Sequence, residues 1–273
     1  MIKRNWTTLA NQQDNTVSVL TWNTLADGLA ESGGFLNVKD SSILSWDNRK
    51  DKQLGVILEH NYDIICLQEV DHYHDWIEPC LNKAGYTGTL QQKYSDIGDG
   101  ICVFWKKDKF TMIDDIKFRY IGSSQVGLIV VLESNANRTK KICVGTTHLK
   151  AKPEFHELRV NQGNVFLDAL EHAVNKHHCP TFFAGDMNDE PDSNVIKAFR
   201  SKYTSVYPKN IWTTWKQRDH VIKRCIDYIF YDPFGLTPTS VLEIPSDKEC
   251  PTMLPAPYYP SDHMAIGCRF KLT

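Results

Sequence analysis

CPTFFAGD (residues 179–186) is a short apolar run opened by a proline and closed by a glycine and an acid, with the amide of Asn188 two residues further on. A segment this short, aromatic-rich and apolar throughout its interior predicts a strand covered on both faces. Its polar end predicts side chains held at the rim of a rigid sheet, where a site can be built. The same layout recurs along the chain. VSVLTW (17–22) runs into Asn23, YDIICL (62–67) into Gln68 and Glu69, and KICVGTTH (141–148) ends on His148. GICVFW (100–105), VGLIVVLE (126–133), IDYIFY (226–231) and MAIGCRF (264–270) complete the predicted strands. Asp227 lies in IDYIFY, and Asp262 and His263 directly precede MAIGCRF.

Helical spacing of apolar residues predicts helices over 45–61, with Ser45 as cap, over 154–178, and over the shorter SNVIKAFRS after Pro191. Many strands with helices between them predict an α/β (α+β) chain of two packed sheets covered by helices. The Pro-rich segment 233–260 reads as a surface excursion. The polar strand ends extend from Asn23 to His263, so a shared site requires one folded unit. The expectation is a single domain over 1–273 with a short N-terminal extension of about 1–15.

Composition narrows the function classes. The 273 residues are 41% hydrophobic and 23% charged, an ordinary globular balance. The net charge of -2 argues against a long grip on nucleic acid, which calls for a basic excess, and favours a small anionic substrate or a short hold on RNA. None of the eight cysteines forms a C-x-x-C pair, and several lie inside apolar runs. They read as small buried hydrophobes in a reduced compartment rather than as zinc ligands or disulfides. Residues 1–15 carry no apolar signal core, and no apolar stretch is long enough for a membrane span. The expected location is the cytoplasm, with a mitochondrial transit peptide left open by the basic, acid-poor start.

The rim residues suit phosphoester hydrolysis with a hard cation. Mg²⁺ takes oxygen ligands and keeps several waters, so one or two carboxylates suffice. Glu69 directly follows a buried run, where a charge must be paired or ligated. Asp186 suits orienting or deprotonating a water. His148 and His263 suit stabilising phosphoryl oxygens. Asp227 suits holding the tautomer of His263. Each residue alone reads as readily as a turn, a cap or a structural histidine; the weight lies in the ordered set W-N, Q-E-V, T-H-L, G-D-M-N, I-D-Y and S-D-H.

That ordered set resembles the endonuclease/exonuclease/phosphatase superfamily. LTWNTLADGL, WDNRK, ICLQEVDHY, GYTGT, THLKAK, GDMNDEP, TTWKQR, IDYIFY and YPSDH are similar, in order and over nearly the whole chain, to its nocturnin and deadenylase branch. The resemblance implies a DNase I-like four-layer fold, a two-sheet β-sandwich flanked by helices. It also implies Mg²⁺, with Mn²⁺ as alternative, on Glu69, supported by Asn23 and with Asp262 nearby. Asp186 and Asn188 would act on water and phosphate, His148 would contact phosphate, and Asp227 would pair with His263. The implied reaction is removal of the 2′-phosphate from NADP⁺ or NADPH, with Lys93, Lys150, Lys152 and Arg218 as substrate contacts, in a chain expected to be monomeric. The alternatives are a poly(A)-specific 3′-exoribonuclease acting on RNA 3′ ends through the same metal site, and an inactive scaffold. Trp212, Trp215 and Tyr94 could stack on a base in either enzyme. Two departures bear on substrate choice. Lys152 stands where the nocturnin branch has an arginine, and the segment before Asp99-Gly100 is shorter than the branch's loop.

Overall fold

In the computed structural model, which describes residues 2–10 and 16–272, the apolar runs are the inner strands of two sheets. The strands are β1 (Trp6–Thr8), β2 (Thr16–Asn23), β3 (Ile64–Val70), β4 (Tyr86–Gln92), β5 (Gly100–Lys106), β6 (Phe110–Arg119), β7 (Val126–Ser134) and β8 (Lys141–His148). They continue with β9 (Thr181–Asp186), β10 (Thr204–Ser205), β11 (Thr214–Gln217), β12 (Val221–Arg224), β13 (Asp227–Tyr231), β14 (Leu236–Leu242) and β15 (Ile266–Leu272). The helices are α1 (Asp27–Ser32), α2 (Trp46–Leu58), α3 (Glu78–Lys83), α4 (His156–His177) and α5 (Asn194–Arg200). One sheet has the order β1-β14-β15-β2-β3-β5-β4 and the other β10-β13-β9-β8-β7-β6. β11 and β12 form a separate hairpin.

Alternation along the strands explains why their sequences are apolar throughout. Val19, Ile64, Cys66, Ile101 and Val103 of the first sheet face Leu128, Val130, Val144, Phe182 and Ala184 of the second across a shared core. Their neighbours point outward. Leu20, Trp22, Ile65, Leu67 and Phe104 pack under Val56 and Ile57 of α2 and Leu81 of α3. Ile129, Val131, Cys143 and Phe183 pack under Phe166 and Leu170 of α4 and Ile196 and Phe199 of α5. The result is the four-layer helix–sheet–sheet–helix arrangement of the predicted fold class, in which both faces of each central strand are desolvated. The eight cysteines are free, seven of them buried.

The structure departs from the sequence expectations in three places. The Pro-rich stretch 233–260 is not wholly an excursion: it contains β14, which pairs with β1 and β15. Pro238 is tolerated there because the register shifts between Pro238 and Ser240, a bulge where a missing N–H does least harm. Within the expected extension 1–15, Trp6–Thr8 forms β1 against β14, while residues 1 and 11–15 lie outside the described residues. Ser45 stands at the start of α2, but its hydroxyl donates to the Ser42 carbonyl and caps no helical N–H.

Candidate active site

Strand direction brings the polar termini together. β2 and β3 run parallel, as do β8 and β9, so each pair ends at the same edge of its sheet. Register places Asn23 beside Gln68, His148 beside Asp186, and Asp186 beside Asp227 at the start of the antiparallel β13. Glu69 sits in a register shift between Gln68 and Val70, with a left-handed φ of 56°. That bulge is backbone strain at a site residue. Gln68 itself points inward and donates to Thr21 and Thr146, tying the two sheets at 3.1 Å each.

The side chains form one continuous cluster. Asn23 Nδ2 donates to Glu69 Oε1 and to Asp186 Oδ2, both at 3.0 Å. His148 Nε2 lies 3.6 Å from Asp186 Oδ2 and 3.9 Å from Glu69 Oε1. His263 Nε2 lies 3.8 Å from the same Asp186 Oδ2, and its Nδ1 faces Asp227 Oδ2 at 2.9 Å. The Asn188 backbone N–H donates to Asp186 Oδ1 at 2.9 Å, while its side-chain amide donates to the Leu149 carbonyl. Asn188 therefore shapes the Asp186 turn through its backbone. Asp262 pairs through Oδ2 with Lys216.

Burial and neighbouring charge push these groups apart in proton affinity. Burial, reinforced by Asp227, raises Asp186 to about 7. Burial likewise raises Glu69, against the pull of Lys93. For His263, burial opposes the charged form but Asp227, Asp186 and Asp262 prevail, lifting it to about 9. His148 goes the other way: burial and the Lys93 cation hold it well below its usual value. Burial would raise Asp262, yet Lys216, His263 and Arg218 bring it down to about 2. The site thus pairs a cationic imidazole with a neutral one around a carboxyl group whose proton affinity is matched to neutral pH.

The donor set fits a hard divalent cation. Asp262 Oδ1 is buried with no hydrogen-bond partner among the described residues, an arrangement that calls for a ligand. It and the Glu69 carboxylate supply hard oxygens. Asp186, Asp227 and His263 also offer ligand atoms within 4.8 Å of one another. Both Asp227 oxygens, however, already face His263 Nδ1. Asp262, through its unpartnered Oδ1, and Glu69 could together hold the cation. Asn23 acts as a donor bridging Glu69 and Asp186, and its own oxygen accepts from Leu25 N–H at 3.1 Å.

The expected basic contacts divide. Lys93 is buried in the cluster, 3.1 Å from His148 Nδ1. Arg218 lies over the Phe35 ring at 3.7 Å and is close enough to sense Asp262 and Glu69. Lys150 is half-buried over Phe155, and its charge reaches His148. Lys152 is exposed, at φ 80°. Three residues escaped the sequence reading. Lys216 holds Asp262, although the TTWKQR phrase contained it. Asp99 holds Lys93. Arg49, inside WDNRK, is fully buried and donates to the Leu25 and Pro260 carbonyls, bracing the segment that follows Asn23 against the one that precedes Asp262.

Gly185 makes a local prediction. Its φ is 149°, and a Cβ there would stand 2.1 Å from the Thr147 carbonyl oxygen. Because the obstacle is backbone, Gly185→Ala must shift β9 against β8 next to Asp186. Urea denaturation is expected to show a loss of about 1–3 kcal/mol, with turnover falling alongside; a variant of unchanged stability and rate would contradict the tight packing.

Comparison with known proteins agrees with this architecture. Residues 20–263 match the Endonuclease/Exonuclease/phosphatase family. Nocturnin of Xenopus laevis is 31% identical over 96% of this chain and 74% of its own length. Human nocturnin is also 31% identical, and the chain spans 65% of it. The CCR4-Not complex 3′-5′-exoribonuclease subunit Ccr4 of Kluyveromyces lactis is 26% identical over 95% of this chain but only 41% of its own length. Among solved structures, the human nocturnin catalytic domain with bound sulfate anion superposes with a TM-score of 0.83 at 30% identity, covering 99% of this chain and 97% of that one.

Proposed function

Because this chain belongs to the endonuclease/exonuclease/phosphatase family, whose members cleave phosphoesters, we propose that it is a divalent-metal-dependent phosphatase removing the 2′-phosphate of NADP⁺ and NADPH. The observation that carries the reading is a compact, buried acid–imidazole cluster bordered by Lys93, Lys150 and Arg218, on a chain of net charge -2. A few cations at one pocket suit a dinucleotide with three phosphates better than a long polyanion does. The similarity to nocturnin over nearly the whole chain supports the same reading.

The chain's own groups account for the chemistry. Asp186 takes the proton of the attacking water, and Asn23 holds its Oδ2 in place. His263, kept cationic by Asp227, stabilises charge building on the phosphoryl oxygens. His148 presents Nε2 to the same Asp186 oxygen at 3.6 Å. A bound Mg²⁺ or Mn²⁺, held by Glu69 and Asp262, would neutralise charge on the phosphoryl and leaving oxygens. Arg218, with its guanidinium backed by Phe35, would fork onto a substrate phosphate. Arg218→Ala is expected to raise KM for NADPH about tenfold, or about 1.4 kcal/mol, with kcat little changed; steady-state kinetics showing the reverse pattern would remove Arg218 from substrate binding.

The second reading, a 3′-exoribonuclease, is favoured by the similarity to the Ccr4 subunit. One assay separates the two: phosphate release from NADPH against shortening of a poly(A) oligonucleotide, by the same Mg²⁺-loaded protein. Phosphate release with intact RNA supports the 2′-phosphatase. RNA shortening with stable NADPH moves the chain to the nuclease reading, and inactivity on both refutes the two together.

A further inference from the structure

The groups behind His148 determine which of its ring nitrogens carries the proton. Lys93 Nζ lies 2.5 Å from Asp99 Oδ2 and 3.1 Å from His148 Nδ1. The side chains of Lys93 and Asp99 are 5% and 3% exposed, so water competes little for these contacts. The segment between them folds back on itself: Lys93 N–H donates to the Asp99 carbonyl at 2.8 Å, and Ser95 Oγ donates to Asp99 Oδ1 at 3.3 Å. An ammonium has three donors and no acceptor. Facing a carboxylate at 2.5 Å it has only donors to offer, so His148 Nδ1 must be the acceptor and the ring proton must sit on Nε2. That nitrogen points at Asp186 and Glu69. His263 is wired oppositely, with a carboxylate at Nδ1.

We propose that Lys93, held by Asp99, is a positioning residue that fixes His148 as the Nε2–H tautomer facing the reaction centre. Two of the three Lys93 donors are occupied in this way, leaving one for a substrate oxygen. The shorter segment before Asp99 is then the piece of chain that sets the tautomer, and Asp99 acts through Lys93. For catalysis the proposal rests on the phosphoester-hydrolase reading; the tautomer itself does not.

The test is long-range ¹H–¹⁵N spectroscopy of the full-length protein with ¹⁵N-labelled histidine, assigned with His148→Gln. The wild-type protein is expected to show His148 protonated at Nε2 alone, and Lys93→Met to populate the Nδ1–H form. A wild-type Nδ1–H signature, or an unchanged signature in Lys93→Met, overturns the proposal. Lys93→Met leaves Asp99 buried without its partner, so Lys93→Met/Asp99→Asn gives a folded alternative with the same expected change. Kinetics give an independent reading on whichever phosphoester the enzyme turns over. If Lys93 acts partly through His148, the losses in Lys93→Met and His148→Gln combine in the double variant to clearly less than their product; losses that multiply fully count against it. Should NADPH not be a substrate, the spectra still decide the tautomer.

Discussion

Glu69→Gln is expected to lower phosphate release by at least about 10³-fold while leaving the protein folded. The carboxylate faces the site from a bulge and accepts from Asn23 Nδ2 at 3.0 Å and from Ala26 N–H at 3.3 Å. Glutamine keeps the shape but offers one acceptor oxygen, so one of those two donors loses its partner, at a cost of about 1–3 kcal/mol. Removing a carboxylate whose burial disfavours its charged form offsets part of that cost. Folding stability should therefore change by only about 1–2 kcal/mol. The negative charge that would hold a divalent cation is gone, and with it the cation's electrostatic contribution, the largest single term in phosphoryl chemistry of this kind. Thermal melts supply a readout separate from activity. Added Mg²⁺ or Mn²⁺ should raise the Tm of the wild-type protein, because a ligand that binds only the folded state stabilises it. It should raise that of Glu69→Gln much less. Near-normal turnover, or an undiminished Tm response to metal, would remove Glu69 from the metal site.

Asp227→Asn is expected to reduce kcat by up to about 10⁴-fold, the loss seen when the orienting carboxylate behind the imidazole of a Ser-His-Asp triad is neutralised. Two effects act in the same direction. His263 loses the 2.9 Å carboxylate partner that orients its ring and keeps it cationic, so charge stabilisation of the phosphoryl oxygens weakens. Asp186 loses the neighbouring charge that, after burial, raises its proton affinity, so it becomes a weaker base. The backbone environment is preserved, because Thr213 Oγ1 still accepts from the residue-227 N–H at 3.0 Å. Near-UV circular dichroism should accordingly look native. A variant with intact spectra and more than about a tenth of wild-type kcat would show that His263 needs no carboxylate behind it.

The central strands and the positions of the acids were legible in the sequence because burial on both faces leaves a local mark. A strand such as Ile64–Val70 must be apolar at nearly every position, and a polar residue ending it stands out. Strands covered on one face were not legible in the same way. After its buried first residue, β6 alternates exposed with half-buried residues along FTMIDDIKFR, and it lies at the edge of its sheet. β4 (YTGTLQQ) is likewise an edge strand and largely half-buried. The short hairpin β11–β12 and the Pro-containing β14 gave no periodic signal at all.

For the site, the sequence by itself determined which acids, amides and imidazoles terminate strands, and their ordered set marked them as one group. Only the tertiary structure decided how each is used. Asn23 proved a donor joining two carboxylates, Asn188 acts on Asp186 through its backbone, and Lys152 stays in solvent while Lys93 is buried. Lys216 and Asp262 are 46 residues apart, and Lys93 and His148 are 55 apart. A lysine or arginine far from its partner in sequence reads as a solvated surface charge. Its burial becomes favourable only when folding delivers the opposite charge or the carbonyls that satisfy it, as for Arg49 between the Leu25 and Pro260 carbonyls. Apolar burial is written in the local order of residues; the pairing of buried charges is settled only when the two sheets close on each other.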